Sequence, residues 1–300
     1  MPKKRIVLIV NPKAGQCKGV KQLGEITLAI QERGYFPTVL MTRRSGDASR
    51  FACEHGNDAE AICCVGGDGT FSEVVAGMVA GRHSAPIGYI PAGSTNDYAS
   101  SLGLSRNLHI AALNAVDGFS QSFDIGMFNG HPFAYTAAFG MLAKVSYSTP
   151  QKLKNIVGRL AYFLEGIRDL HSLRAEAMTI DTDGERIEGK YLFGAVSNTT
   201  SIGGILHFDS GDVKLNDGYL ELLLISKPSS LREFAQFVHA LSTRAYSESS
   251  CIIYRKCKRV RIISHKRIPW TLDGEPAKES DQVDIEVVPQ AIHVMTPLLQ

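Results

Sequence analysis

The chain has 300 residues, 44% of them hydrophobic, and a formal net charge of +2. This length allows more than one hydrophobic core, and the small net charge excludes the strong positive field of most nucleic-acid-binding proteins, so no nucleic-acid partner is expected. No apolar run approaches about 18 residues and no secretory signal is recognisable, which argues against a membrane-spanning protein and predicts a cytoplasmic one.

The first part of the chain alternates short apolar runs with helical patterns, which is typical of βα units and a mostly parallel sheet. Strands are predicted over residues 6–10, 37–41, 61–65 and 86–90. Helical patterns lie over residues 20–30, after residue 47, over 71–78, and in two short helices that reach about residue 116. We therefore predict a Rossmann-like α/β nucleotide-binding domain over residues 1–121.

The pattern changes to hairpins from about residue 122, with Asn129-Gly130 as the strongest turn signal and Asp183-Gly184 as another. Helices are expected over residues 151–170 and 230–242 between strands that continue to residue 288. We predict an antiparallel β-sandwich-like domain over residues 122–290. Residues 291–300 form a C-terminal strand or tail that could return to the first domain. Because no Gly/Ser linker separates the halves, the domains are expected to pack together with the active-site cleft between them.

Three loops rich in Gly, Ser, Thr and Asn follow predicted strands. Gly66-Gly67-Asp68-Gly69-Thr70 lies where a strand leads into a helix, so backbone N–H groups could face a phosphate chain. Such glycines could also simply form a tight turn. Residues 11–15 and 91–97 occupy the same position after two other strands, however, and the carboxyl ends of parallel strands share one edge. The loops are therefore expected to converge on one crevice.

The usual nucleotide motifs are absent, since the chain contains neither GxxxxGK[ST] nor GxGxxG. Asp68 and Asp97 nevertheless supply carboxylates beside the expected phosphate site, which suits Mg²⁺. Asp97 could instead serve only as the N-cap of the following helix.

These loops, followed by Asp124 in FDIG, the segment GRLAYFLEGI, then LNDGYLEL and TLDGEP, resemble the diacylglycerol kinase catalytic-domain family. That family includes bacterial lipid kinases and the sphingosine and ceramide kinases, and the resemblance extends from Asn11 to about Val294. It implies ATP as the phosphate donor and Mg²⁺ as the metal, with residues 1–121 as the ATP-binding domain and residues 122–290 as the lipid-substrate domain. The residues that it implies for ATP binding are Asn11, Pro12, Lys13, Ala14, Gly15, Thr42, Gly66, Gly67, Asp68, Gly69, Thr70, Phe71, Ser72 and Ser94, with Asn96 and Asp97 in the third loop.

The resemblance also implies a catalytic base in TLDGEP, which is either Asp273 or Glu275. Asp273-Gly274 is at the same time a favoured hairpin turn. Asp68, Asp97 and Asp124 would organise the active-site metal directly or through waters, with Asp68 counted among the catalytic residues, and Lys13 could stabilise phosphate charge.

A second, structural Mg²⁺ site is implied in KLNDGYL, through the side chain of Asp217 and main-chain carbonyls near Lys214 and Tyr219. Here the sequence departs from the family pattern. Lys214 cannot ligate a metal through its ammonium group, and Asn216 stands where a second aspartate is common.

The predicted function is an ATP- and Mg²⁺-dependent lipid kinase that phosphorylates a hydroxyl group of a membrane lipid, with diacylglycerol, which would give phosphatidic acid, as the first expectation. The lipid would be met peripherally at the bilayer surface. Cations and aromatic residues of the helix at 151–170 could contact the bilayer, although an ordinary amphipathic helix has the same composition. The resemblance suggests a homodimer. Two alternatives stay open, an NAD kinase-like kinase of a soluble substrate, which shares GGDGT, and a non-catalytic nucleotide-binding regulator.

Overall fold

The computed structural model describes residues 4–140, 175–202, 206–207 and 213–297, which form two compact units. Unit 1 contains the described residues up to Ile125, Pro132–Ala134, and the described residues from Pro289 onward. Unit 2 contains the described residues of Gly126–His131 and Tyr135–Val288. The helix predicted over residues 151–170 lies outside the described residues. None of the described helices has the length and hydrophobicity that a membrane crossing requires.

Unit 1 is built on a parallel sheet in the order β4-β3-β1-β2. Its strands are β1 (Lys4–Val10), β2 (Tyr35–Met41), β3 (Ala61–Gly66) and β4 (Ile87–Pro91). Its helices are α1 (Lys18–Lys21), α2 (Leu23–Glu32), α3 (Asp47–His55), α4 (Asp68–Ala80), α5 (Asp97–Ser101) and α6 (Leu108–Asp117). Val10 pairs with Val65, and Gly66 pairs with Pro91, so the carboxyl ends of β1, β3 and β4 are level with one another.

The inner strands β1, β3 and β4 are buried on both faces because helices cover both, whereas the edge strand β2 is partly exposed. Ile6, Leu8 and Val10 of β1 pack in one cluster with residues of α2 and α6. Helices α3 and α4 contact each other, and they contact β1 and β3 respectively. The helix predicted over residues 20–30 is divided into α1 and α2, since Gln22 has a non-helical φ of −106°. The predicted α/β fold of this part is confirmed.

Unit 2 is β-rich and antiparallel. Its strands are β7 (Thr136–Gly140), β8 (Glu176–Thr182), β9 (Glu185–Ser197), β10 (Ser201–Ile202), β11 (Leu206–His207), β12 (Leu220–Ser226), β13 (Ile252–Cys257) and β14 (Arg259–Leu272). Three further strands contain residues of both units, β5 (Phe119–Phe128), β6 (His131–Phe133) and β15 (Glu275–Thr296). The long strands β9 and β14 each pair with β8 through one half and with β7 through the other, which gives the predicted sandwich-like architecture.

Three two-residue turns of unit 2 have both central residues at positive φ, as type I′ hairpins require. They are Asn129-Gly130, Asp183-Gly184 and Asp273-Gly274. The hairpin predictions are therefore confirmed at these turns.

The predicted second helix of this half is α7 (Leu231–Thr243), which begins at an N-cap serine, Ser230, and buries Phe237 against β9 and β12.

Candidate active site

Three loops meet at the carboxyl ends of β1, β3 and β4. The backbone N–H of Asn11 donates to the Val65 carbonyl at 2.9 Å, which joins the loop after β1 to the end of β3. The N–H groups of Ala92 and Gly93, after β4, both donate to the Gly66 carbonyl, at 2.7 and 3.2 Å. The predicted convergence of the three loops is confirmed, whereas the nucleotide-binding roles of their residues stay predictions.

Side chains and a close backbone contact also join these loops. Asn11 donates from Nδ2 to Thr70 Oγ1 at 3.0 Å, and its Oδ1 accepts from the Lys13 N–H at 3.0 Å. Gly15 has φ +50°, and a Cβ at this position would lie 2.0 Å from the Ala92 carbonyl oxygen. The first loop therefore contacts both of the others, and only glycine fits at its closest approach.

Asp68, at the start of α4, joins the second loop to the third. Its Oδ2 accepts from the Asp97 N–H at 2.8 Å, and its Oδ1 accepts from the Tyr98 N–H and the Tyr89 hydroxyl, each at 3.2 Å. Asp97 is the first residue of α5 and not its N-cap, so the carboxylate of Asp68 satisfies the first N–H groups of that helix. Phe71 is fully buried, with its ring centroid 4.5 Å from that of Tyr89.

Asn96, just before α5, has φ +55° and donates from Nδ2 to the Gly93 carbonyl at 2.9 Å. A Cβ on Gly93 would lie 2.5 Å from Gly67 Cα and 2.6 Å from Asn96 Oδ1, so the third loop is packed tightly on the second. Asn96 Oδ1 is buried and has no hydrogen-bond partner among the described residues. Such an acceptor suits a ligand hydroxyl or a metal-bound water rather than a phosphate oxygen.

The other predicted nucleotide-binding residues lie at the same edge of unit 1. Thr42 follows β2, is buried, and donates from its backbone N–H to the Val10 carbonyl at 2.9 Å. Lys13 and Ser94 are exposed, so both side chains are accessible to a ligand. Half-buried positions in the loops and in α4 are Pro12, Ala14, Gly15, Gly67, Gly69 and Ser72.

Glu73 of α4 was not singled out from the sequence, and it fixes the start of α3. Its Oε1 accepts from the Ser45 hydroxyl at 3.0 Å and the Gly46 N–H at 2.9 Å, while its Oε2 accepts from the Ala48 N–H at 3.2 Å. The Ser-Gly-Asp signal before α3 marks the helix start, but the capping carboxylate comes from a distant helix. Tyr89 and Tyr98 were likewise not predicted as site residues, because their hydrogen bonds to Asp68 also join residues that are distant in the sequence.

Asp47, at the start of α3, faces three arginines. Its Oδ2 accepts from the backbone N–H groups of Arg43 and Arg44 at 2.9 and 3.1 Å, and the Arg50 guanidinium lies 3.6 Å from its Oδ1. The backbone hydrogen bond from Arg43 is the main cause that lowers the pKa of Asp47 below its ordinary value, with the charges of Arg44 and Arg50 adding to it.

In unit 2, Asp273 and Gly274 form the turn between β14 and β15. Asp273 is only 3% exposed, and its Oδ1 accepts from the backbone N–H groups of Tyr135 and Thr136, both at 2.9 Å. The Tyr135 hydroxyl donates to the Asp273 carbonyl at 3.0 Å. Asp273 is therefore committed to holding this hairpin against β7.

Glu275, the first residue of β15, is exposed and lines an open cavity of about 560 Å³ in unit 2. The apolar side chains of this cavity come from Phe128, Leu272, Pro276 and Ala277, and its charged side chains come from Arg267, Lys278, Glu275, Glu279 and Asp281, with His131 nearby. The cavity is therefore lined by three acidic side chains and by two basic ones, Arg267 and Lys278.

The predicted metal ligands lie in different surroundings. Asp124 is fully buried, and its Oδ1 accepts from the Gln290 N–H at 2.8 Å. Asp217 accepts from the Tyr219 N–H with Oδ1 and lies 2.8 Å from Lys256 Nζ with Oδ2, while Lys214 is exposed. Among the described residues, no three His, Cys, Asp or Glu side chains are grouped so that they could hold a metal ion.

The sequence matches two known domain descriptions. The diacylglycerol kinase catalytic domain matches residues 5–128, and the YegS C-terminal NAD kinase beta sandwich-like domain matches residues 136–296.

Named relatives agree with these matches. The chain is 34% identical over 274 residues to a diacylglycerol kinase of Bacillus subtilis (strain 168), covering 91% of this chain and 90% of that protein. It is 32% identical over 275 residues to a diacylglycerol kinase of Staphylococcus aureus (strain MRSA252), covering 91% and 86%. The crystal structure of a candidate diacylglycerol kinase from Bacillus anthracis str. Sterne has the same fold, with a TM-score of 0.82 at 24% identity over 99% of this chain and 96% of that one. The chain therefore belongs to the diacylglycerol kinase catalytic-domain family of kinases.

Proposed function

We propose that this kinase transfers the γ-phosphate of ATP, with Mg²⁺, to a hydroxyl group of a membrane lipid, with diacylglycerol as acceptor and phosphatidic acid as product. The observation that carries the proposal is the junction of three glycine-containing loops at adjoining strand ends of unit 1. Backbone N–H groups and a helix N-terminus at such an edge favour phosphate. The exposed Lys13 beside them would add a positive charge.

Asp68 would act mainly as a positioning residue. Its two oxygens already accept three hydrogen bonds, from the Asp97 and Tyr98 N–H groups at the start of α5 and from the Tyr89 hydroxyl of β4, which leaves little capacity for direct metal ligation. Mg²⁺ would be held by Asp97, with Asp68 behind it, and would neutralise charge on the phosphate oxygens. Asp124, which is fully buried, would support this region through the chain around Gln290.

Of the two candidate bases, Glu275 fits the role better. The Asp273 carboxylate is buried, and its Oδ1 already accepts two backbone N–H bonds that hold its hairpin, so it is poorly placed to reach a lipid hydroxyl. Glu275 is exposed on the next strand and lines the cavity. We assign Glu275 as the group that takes the proton from the lipid hydroxyl while the hydroxyl oxygen attacks the γ-phosphorus and ADP leaves. Asp273 would position its hairpin.

The charges of the cavity support an uncharged acceptor. Arg267 and Lys278 are outnumbered by Glu275, Glu279 and Asp281, so an anionic headgroup would meet no net attraction there. Apolar side chains such as Phe128 and Leu272 suit a glycerol backbone and the beginnings of acyl chains. Diacylglycerol matches both properties, whereas phosphatidylglycerol matches only the second.

The test is a transfer assay with γ-labelled ATP, Mg²⁺ and mixed micelles of diacylglycerol, sphingosine or phosphatidylglycerol, with NAD as a soluble acceptor. We expect label in diacylglycerol. Glu275→Gln should lower kcat by about 10²- to 10⁴-fold with an unchanged Tm, as the loss of a general base requires. Asp273→Asn keeps an acceptor oxygen and should retain most of the activity. Glu188→Gln, at an exposed glutamate of β9, is the matched control.

Three results would contradict the proposal. Label only in NAD would indicate a kinase of a soluble substrate, and nucleotide binding without transfer to any acceptor would indicate a regulator. A Glu275→Gln enzyme with full activity, combined with an inactive but stably folded Asp273→Asn enzyme, would reverse the assignment of the base.

A further inference from the structure

The loop that leads into β12 contains Asp217, the residue at which the family pattern implies a structural metal. The Asp217 side chain is 21% exposed. Its Oδ1 accepts from the Tyr219 N–H at 3.1 Å, and its Oδ2 lies 2.8 Å from the ammonium nitrogen of Lys256. Both carboxylate oxygens thus contact a donor, and one of the donors carries a full positive charge.

Sheet register fixes the position of Lys256. In the antiparallel pair of β12 and β13, Lys256 lies directly opposite Glu221, which is fully buried, and the neighbouring Cys257 lies opposite Leu220. The loop with Asp217 precedes β12 by only a few residues, so the Lys256 side chain extends from the adjacent strand towards that loop. The side chain is 34% exposed, so its charge is only partly hydrated.

Two further lysines belong to the same part of unit 2. Lys258 Nζ lies 5.0 Å from the centre of the Tyr219 ring, and the exposed Lys214 belongs to the loop itself. Asp183 accepts from the backbone N–H groups of Lys258 and Arg259. Of the three lysines, however, only Lys256 contacts the Asp217 carboxylate among the described hydrogen bonds and ion pairs, and its positive charge disfavours the entry of a divalent cation beside it.

The residues present do not fit Mg²⁺ at this loop. Mg²⁺ requires oxygen ligands in near-octahedral geometry at about 2.0–2.1 Å, and a lysine ammonium supplies no acceptor. The carbonyl of Leu215, the main-chain group next to Lys214, accepts from Asn198 Nδ2 at 3.0 Å. A metal would have to displace the Lys256 ammonium from Asp217 and then lie beside it.

We propose that the ammonium of Lys256 takes the place of the divalent metal at this loop, neutralising Asp217 and joining the loop to β13. The ion pair is direct and partly buried, and it is held by side chains from two adjacent segments of one sheet, so it performs the charge-balancing role that the metal would have. The loop then needs no metal for its folded geometry.

The test is thermal unfolding of the full chain without nucleotide or lipid, in excess Mg²⁺ or in EDTA. Wild type and Asp217→Asn should respond to Mg²⁺ identically, because Asp217 binds no metal. Lys256→Met, which keeps the apolar stem and removes the charge, should lower Tm by roughly 2–8 °C. Combining it with Asp217→Asn should lower Tm by less than the two single changes summed, since neither charge is then left alone. Lys190→Met, at an exposed position of β9, is the matched control.

Two results would overturn the proposal. One is an increase in Tm of the wild type with Mg²⁺ that Asp217→Asn abolishes, because the loop would then bind metal despite Lys256. The other is strict additivity of the Lys256 and Asp217 substitutions. If Lys256→Met does not fold, the Mg²⁺ comparison of wild type with Asp217→Asn still decides. Neither measurement depends on kinase activity.

Discussion

Asp68 has three hydrogen-bond donors around one carboxylate, from the backbone of Asp97 and Tyr98 and the hydroxyl of Tyr89. These bonds join the start of α4 to strand β4 and to the start of α5. Hydrogen bonds to a charged acceptor contribute more than neutral ones, and a buried donor left without a partner is costly. Asp68 should therefore be measurable as a stabilising residue, separately from the role proposed for it in the kinase reaction.

Asp68→Ala should lower the free energy of unfolding by about 3 kcal/mol and raise the KM for ATP, because the loops lose their shared anchor. Denaturant unfolding and a nucleotide titration measure the two effects. Tyr89→Phe removes one donor and keeps the ring stacked on Phe71, so it should cost about 1 kcal/mol. A stable Asp68→Ala protein with a normal KM and no turnover would instead place Asp68 directly on the reacting groups.

The sequence indicated that Asp68 belongs to the site but not what it contacts. Its location followed from a local signal, glycines between an apolar strand and a helix. Its hydrogen-bond partners could not be predicted, because they depend on β3 and β4 ending side by side. This arrangement brings together Asp68 and Asp97, which are 29 positions apart. The same holds for Asp273. The Asp-Gly pair predicted the turn, but the two N–H groups that hold its carboxylate belong to Tyr135 and Thr136, at the beginning of β7, which are 138 and 137 residues away.

Helix α3 shows how one element can depend on another for its beginning. Its N-cap, Gly46, has no side chain, so its first N–H groups are satisfied by Glu73 of α4. Within α3, Asp47 accepts from the N–H groups of Arg43 and Arg44 and thereby closes the preceding loop.

Asp47 predicts a pH dependence of stability. Because its pKa in the folded protein is lowered from the ordinary 3.8, its stabilising contribution is complete above that value and disappears as the pH falls through the lowered folded-state pKa. The Tm difference between wild type and Asp47→Asn should be constant near neutral pH and shrink towards about pH 3. Asp58→Asn, at an exposed position, is the control. A difference that does not change with pH would show that the Asp47 charge is not involved.

At the scale of the whole molecule, the reactivity of the six cysteines can measure which parts of the fold are buried and can test whether a nucleotide contacts the first loop. Cys17 and Cys53 are exposed, whereas Cys63, Cys64, Cys251 and Cys257 are buried. Burial raises the pKa of Cys63 and of Cys257 to about 12, and it raises the pKa of Cys64 well above its ordinary value, which keeps these thiols unreactive.

Two thiols should therefore react rapidly with an aromatic disulfide reagent in the native protein, and the remaining four only on unfolding. Cys17 directly follows the first loop, so ATP should slow its reaction, and Cys53→Ser leaves it as the single fast thiol. Slow modification of Cys17 would mean that the loop is not exposed in solution. Unchanged kinetics at saturating ATP would mean that this loop does not contact the nucleotide.

The overall architecture could be predicted from periodicity alone, because fully apolar strands between helical patterns and Asn-Gly or Asp-Gly pairs between alternating strands are local signals. The path of the chain between the units could not. Three residues, Pro132–Ala134, belong to unit 1 although the residues on either side belong to unit 2, and no change in amino-acid composition marks them. The parallel pairing of Val294 with Ile87 could not be predicted either, because it joins residues that come together only when the whole chain has folded.

That pairing has a consequence for the order in which the protein can be assembled on the ribosome. The segment around Val294 is translated only after all of unit 2, yet it provides the strand that lies beside β4 in unit 1. Vectorial synthesis usually lets the N-terminal part of a protein mature first. In this chain, the sheet of unit 1 is complete only after a segment more than two hundred residues beyond β4 has been made, so a nascent chain stalled within unit 2 leaves that sheet without its neighbouring strand.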